Sequence, residues 1–132
     1  MNPATTGEGR TLRDFFRAAA INQPNVGLLF DSFHWFTSGG TIAQIETLPT
    51  ELFLYVHVSD APDRPLDQQV NLERVLPGEG IIDLKEMLRA LKKKGYEGYV
   101  SVEVFDEELQ ALGLDAAAKN AKAALANLLG GL

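Results

Sequence analysis

Apolar positions recur along the chain with two different periods, and the switches between them mark out its elements. Over 11–21, Leu12, Phe15, Phe16 and Ala19 fall at helical spacing, which predicts a helix with one apolar face. Thr11, with Asp14 three positions on, forms a loose capping box, and NQPN (22–25) breaks the helix. VGLLF (26–30) is a short continuous apolar run, as expected of a strand buried on both faces. TSGGT (37–41) reads as a loop whose Thr41 caps the short helix IAQIETL (42–48), and Pro49 ends that helix. LFLYVHVSD (52–60) is a second buried strand that turns polar at its end. The stretch over 61–80 is long, polar and rich in Pro and Gly. A loop of that length inside a compact domain is usually functional or mobile.

Over 82–95 the pattern becomes amphipathic. Leu84, Met87, Leu88 and Leu91 form one stripe, Lys85, Arg89, Lys92 and Lys93 the other, and Gly95 supplies a stop. YVSVEVF (99–105) is a third strand. An Ala-rich helix over 114–129, capped by Asp115, runs into Gly130-Gly131. The order is α-β-α-β-loop-α-β-α. Strands alternating with helices imply an α/β fold of three parallel strands with four flanking helices, joined by right-handed crossovers.

Composition narrows the picture. The chain has 132 residues, 45% of them hydrophobic, enough for one domain with a real core. Residues 1–10 read as a flexible leader and 11–132 as the domain. A net charge of −6 argues against free nucleic acid as a partner and is compatible with a cation site. There is no cysteine, hence no disulfide and no thiolate zinc site. The N-terminus lacks the apolar core of a signal peptide, and no apolar run reaches the ~18 residues of a membrane span. A cytoplasmic protein with no membrane partner is the expectation.

All three predicted strands become polar at their carboxyl ends: Asp31, then His57 and Asp60, then Glu103. Ligands of parallel α/β folds bind beyond those ends. Asp31, His57 and Glu103 together offer oxygen, nitrogen and oxygen donors that suit Mn, Mg, Co, Fe or Zn as the divalent ion. Taken singly, each is equally at home as a hydrogen-bonded structural residue. His34 follows Asp31 by three residues, in the loop after the strand. It either supports the site or hydrogen-bonds a substrate hydroxyl, or packs at the surface among Phe33, Trp35 and Phe36. Those aromatics either wall a pocket or fill the core. Arg64 and Arg74, in the long loop, either hold an anionic or polyhydroxylated substrate by bidentate bonds or are solvated surface charges. PGEG (77–80) is a turn and lacks the Lys-Ser/Thr ending of a phosphate-binding loop. KKK (92–94) is the cationic last turn of a helix.

The segments FDSFHWF, YVHVSDAPDR, RVLPGEGIIDL and YVSVEVF, in that order, resemble the motifs of the xylose isomerase-like TIM-barrel superfamily. Its members include sugar phosphate isomerases and epimerases, dehydratases and an endonuclease branch. The resemblance covers most of 26–105 and implies a partial (β/α)8 barrel corresponding to the C-terminal strands. It implies metal ligands at Asp31, His57 and Glu103, with Glu103 also an acid/base carboxylate. It makes His34 a substrate-contacting, catalytic histidine, sets Arg64 near a substrate-binding arginine, and makes Asp60 a supporting carboxylate. Trp35 is the aromatic assigned to the substrate. The implied chemistry is isomerisation or epimerisation of a sugar or keto acid. The metal polarises substrate oxygens and a carboxylate moves a proton next to a carbonyl through an enediolate. A dehydratase of the same superfamily begins with the same proton removal. A half-barrel that only assembles is the non-enzymatic alternative.

A full barrel has eight β/α units in roughly 250 residues. The glutamate that the superfamily carries on an earlier strand is matched by none of Glu46, Glu51, Glu73 or Glu79, because none lies at a predicted strand end. Three strands also leave open edges. A homo-oligomer or an N-terminal half-barrel partner is therefore expected to complete the fold.

Overall fold

The computed structural model describes Arg17 and residues 20–132. The leader over 1–10 lies outside the described residues, as do Leu12, Phe15, Phe16 and Ala19 of the first predicted helix; Arg17, Ala20 and Ile21 are helical. Three parallel strands follow in sheet order β1 (Leu28–Asp31), β2 (Phe53–Val58) and β3 (Val100–Val102). Between and after them lie α1 (Ser32–Thr37), α2 (Ile42–Thr47), α3 (Leu84–Lys93), α4 (Glu107–Ala111) and α5 (Leu114–Leu129). The architecture is a partial TIM barrel. No helix among the described residues is long and apolar enough to cross a membrane.

Several local expectations are corrected. His34 does not sit in a loop. Asp31 ends β1 and at once caps α1, its side chain accepting from the His34 amide at 3.0 Å, so the chain passes from strand to helix with no linker. The 99–105 strand shrinks to three residues, although the Glu103 amide still donates to the Val58 carbonyl at 3.1 Å. Asp106 caps α4, a helix the apolar pattern did not show. Asp115 lies in the first turn of α5 and does not cap it. Gly113, at φ +87°, makes the sharp turn from α4, and only glycine adopts that angle without cost. Thus five helices, not three after the first, flank the strands among the described residues. Thr41 caps α2 as expected, and Gln44 completes a capping box with it.

One face of the sheet is packed. Leu28, Phe30, Phe53, Val56 and Val58 bury against Ile45 of α2, Leu84, Met87, Leu88 and Leu91 of α3, and Leu128 of α5. The amphipathic stripe of α3 therefore lies where its spacing put it. The opposite face is the barrel interior, and strand register assigns its residues. Leu29 pairs with Tyr55, Asp31 with His57, and His57 with Ser101. Two-residue periodicity then places Tyr99 and Glu103 in the same face. Tyr55 stacks near both Tyr99, at 6.1 Å, and His57, at 5.3 Å between ring centroids. Leu29 and Tyr99 are exposed, as is Leu54 beside the bulge that shifts the β1–β2 register.

The long loop is tied down rather than loose. The backbone of Asp60 pairs antiparallel with Val75, through bonds of 2.9 and 3.1 Å. Its buried carboxylate accepts from the amides of Ala61, Gly78 and Ile82 at 2.9–3.0 Å. A Cβ on Gly80 would stand 2.2 Å from the Ala61 carbonyl oxygen, so the PGEG turn closes on Asp60 only with glycine there. Replacing Asp60 with Ala leaves the buried Ala61 and Ile82 amides without their acceptor. It should cost about 3 kcal/mol or more, read as a lower urea midpoint at unchanged m-value.

Candidate metal centre

The carboxyl ends of β1 and β2 are fixed by one side chain. The Ser32 hydroxyl donates to the Ser59 carbonyl at 2.6 Å and accepts from the Ser59 amide at 2.9 Å, with both residues fully buried. This clasp sets Asp31 beside His57, and β3 brings Glu103 alongside. One donor atom from each of Asp31, His57 and Glu103 lies within 4.8 Å of the others. His57 Nδ1 is 3.2 Å from Glu103 Oε2, yet the angle makes no hydrogen bond, and this buried nitrogen has no hydrogen-bond partner. Buried polar atoms are rarely left so. An unsatisfied ring nitrogen beside the Glu103 carboxylate, in a cluster that also holds Asp31, is part of a donor set that fits a divalent cation.

A fourth group shares this pocket. Arg74 is only 2% exposed, the largest fully buried side chain among the described residues. Nη1 donates to Asp31 Oδ2 at 2.8 Å and lies 3.4 Å from both Glu103 Oε2 and Ser59 Oγ. Nη2 donates to Asn71 Oδ1 at 2.6 Å and meets His34 Nε2 at 3.2 Å, while Nε donates to the Asn71 carbonyl at 3.2 Å. The guanidinium carbon lies 4.8 Å from the Phe33 ring centroid and 5.3 Å from that of Phe105. A planar fork with five donors is the group that can meet so many acceptors at once.

The sequence-derived candidates thus divide. Asp31, His57 and Glu103 come together, and His34 joins them through Arg74. Arg64 does not touch the cluster. It pairs with Glu73 in the loop, with both side chains partly exposed. Of the two arginines of the long loop, Arg74 is the one that joins the cluster, because the Asp60–Val75 bridge turns the residue beside Val75 over the strand ends. Trp35 is corrected to a core residue. It is 6% exposed and packs 6.1 Å from Phe30, on the helix-covered side of the sheet. Asp60 supports the site through the loop rather than by contact with the cluster.

The two arginines should behave very differently. Arg74→Ala uncovers a buried carboxylate and should cost about 3–5 kcal/mol of stability. Arg64→Ala removes a partly exposed pair and should cost no more than about 1 kcal/mol. Equal losses in chemical denaturation would contradict this assignment.

Comparison with known proteins agrees with the geometry. The family described as xylose isomerase-like TIM barrel matches residues 2–129. An inosose isomerase from Halalkalibacterium halodurans is 39% identical over 103 residues, which is 78% of this chain and 36% of that protein. A 3-dehydroshikimate dehydratase from Pseudomonas aeruginosa is 36% identical over 92 residues, 68% of this chain and 14% of that protein. Among solved structures, an IolI protein with a binding zinc atom superposes with a TM-score of 0.84 at 32% identity, covering 89% of this chain and 42% of that one. The chain spans between about a seventh and two fifths of the length of these relatives. With three parallel strands, their helices and the family match over 2–129, the chain belongs to the xylose isomerase-like TIM-barrel family.

Proposed function

We propose that this chain carries the metal-binding end of a barrel that isomerises a polyhydroxylated ketone by moving a proton next to its carbonyl. The observation that carries the reading is the convergence of Asp31, His57 and Glu103 from three strand ends. It is supported by 39% identity to an inosose isomerase and by likeness to a structure described with a zinc atom. The residues that would hold a divalent ion are those three. The ion would supply Lewis acidity toward a substrate oxygen.

The chain's own groups account for the rest. Glu103 is the partly exposed carboxylate of the cluster, whereas both Asp31 oxygens are engaged, one by the α1 cap and one by Arg74. Glu103, held by Arg74 only at 3.4 Å and through one oxygen, would be the group that takes up and returns a proton. His34 would hydrogen-bond a substrate hydroxyl or carbonyl. A dehydratase acting on a related cyclic substrate is the second reading, favoured by the 36% identity to a 3-dehydroshikimate dehydratase. Both reactions start with the same proton removal.

Leu29, Leu54 and Tyr99 lie exposed on what is the interior of a closed barrel. We propose that further parallel strands pair with the free edges of β1 and β3 and cover them. If this chain has nothing else to pair with, a second copy is the available source. The 132-residue protein alone should then self-associate through this face. Light scattering coupled to size exclusion should show an oligomer, and a clean monomer at high concentration would count against the proposal.

The metal reading has its own test. Mn²⁺ or Zn²⁺ should raise the melting temperature, and Asp31→Ala and His57→Ala should each abolish the rise. An undiminished response in both variants would show that the ion, if any, sits elsewhere.

A further inference from the structure

We infer that Arg74 is a positioning residue that fixes the tautomer of His34, placing the ring proton on Nδ1 and thereby linking the histidine to the metal-ligand carboxylates. A guanidinium has only donors. The 3.2 Å contact between Arg74 Nη2 and His34 Nε2 therefore requires Nε2 to present its lone pair. The ring proton then sits on Nδ1, and Nδ1–H is the donor that His34 can offer to a ligand oxygen.

The guanidinium has no freedom to give up this contact. Its Nε–H is taken by the Asn71 carbonyl and the second Nη2–H by Asn71 Oδ1. The two Nη1 hydrogens are shared among Asp31, Glu103 and Ser59. Phe33 and Phe105 flank the plane. All five donors are spent, so the fork is held from every side, and a rotation that released His34 would also break the Asp31 and Asn71 bonds. The backbone supports the same arrangement: Asp31 Oδ1 accepts from the His34 amide, so one carboxylate holds both the main chain of His34 and the cation facing its ring.

The consequence is a geometric coupling. The groups assigned above to the ion, Asp31 and Glu103, share one rigid cation with the group assigned to the substrate, His34. The ligand oxygen that His34 meets must be an acceptor: a carbonyl, an oxyanion or the lone pair of a hydroxyl. This last point rests on the proposed isomerase reading, whereas the tautomer itself does not.

The test needs neither metal nor substrate, so its failure is separate from a failure of the isomerase reading. The chain has only two histidines, and a His57→Gln variant assigns their signals. Long-range ¹H–¹⁵N correlation spectra of the folded wild-type protein, about two units above the ordinary histidine pKa, should show His34 protonated at Nδ1 and bare at Nε2. A predominantly Nε2–H ring in the wild type overturns the inference outright, with no variant involved. Arg74→Met should convert His34 to a mixture or to the Nε2–H form. Should that variant not fold, Arg74→Lys keeps the cation for Asp31 while lacking the fork, and should also lose the pure Nδ1–H state. A folded Met or Lys variant whose His34 stays wholly Nδ1–H would show that something other than Arg74 sets the tautomer.

Discussion

A fully buried guanidinium must have its charge answered and its donors filled, and the upper half of this structure follows from meeting that demand at Arg74. Desolvating an unpaired cation costs several kcal/mol. Here the cost is offset by Asp31 at 2.8 Å, with Glu103 and Ser59 farther off, by Asn71 and His34 on the other arm, and by two aromatic faces. These partners come from five separate parts of the chain: the end of β1, the α1 helix, the end of β2, the long loop and the segment after β3. The arginine therefore ties the strand ends together much as a metal ion would. A divalent ion at Asp31, His57 and Glu103 would add to an arrangement that already holds two of its ligands in place.

That arrangement depends on a chain of smaller constraints. Arg74 reaches the cluster because the loop carrying it is pinned to β2 through Asp60. Asp60 can pin it because its carboxylate gathers three amides, and the turn closes only because Gly80 leaves room for the Ala61 carbonyl. Asp31 is aimed because it caps α1 while ending β1. The Ser32–Ser59 clasp keeps the two strand ends in line. A loosening at Asp60, Gly80, Ser32 or Ser59 would displace Asp31, His57, Glu103 and Arg74 from one another.

Much of this was legible in the sequence. The buried strands, the Thr41 cap of α2 and the α3 stripe are local signals, set by spacing over a turn or two. The polar residues at strand ends were legible because parallel α/β folds place sites there. What the sequence pattern does not show is decided by distant contacts. A six-residue helix full of aromatics has too few turns to show a period, so α1 read as a loop, although the cap from Asp31 to the His34 amide was its one local sign. Arg64 and Arg74 look alike in a polar loop. Only the pairing of Asp60 with Val75 buries the second and leaves the first at the surface with Glu73. Trp35, next to His34 in sequence, falls on the opposite side of α1 and fills the core.

The interior face of the sheet carries two different requirements along the same strands. Toward the carboxyl ends, Asp31, His57, Ser101 and Glu103 want charge partners and polar ligands. One pleat below, Leu29, Tyr55 and Tyr99 want to be covered. Covering the lower tier with further strands also lowers the dielectric around the upper one, and electrostatic interactions strengthen as water is excluded. The hold of Arg74 on Asp31, and that of the ligand set on a cation, would then tighten on assembly without any new contact to the charged groups themselves. If further strands complete the barrel as proposed, assembly and ion binding become one problem for this chain: the apolar tier those strands would cover lies directly beneath the polar tier whose interactions they would strengthen.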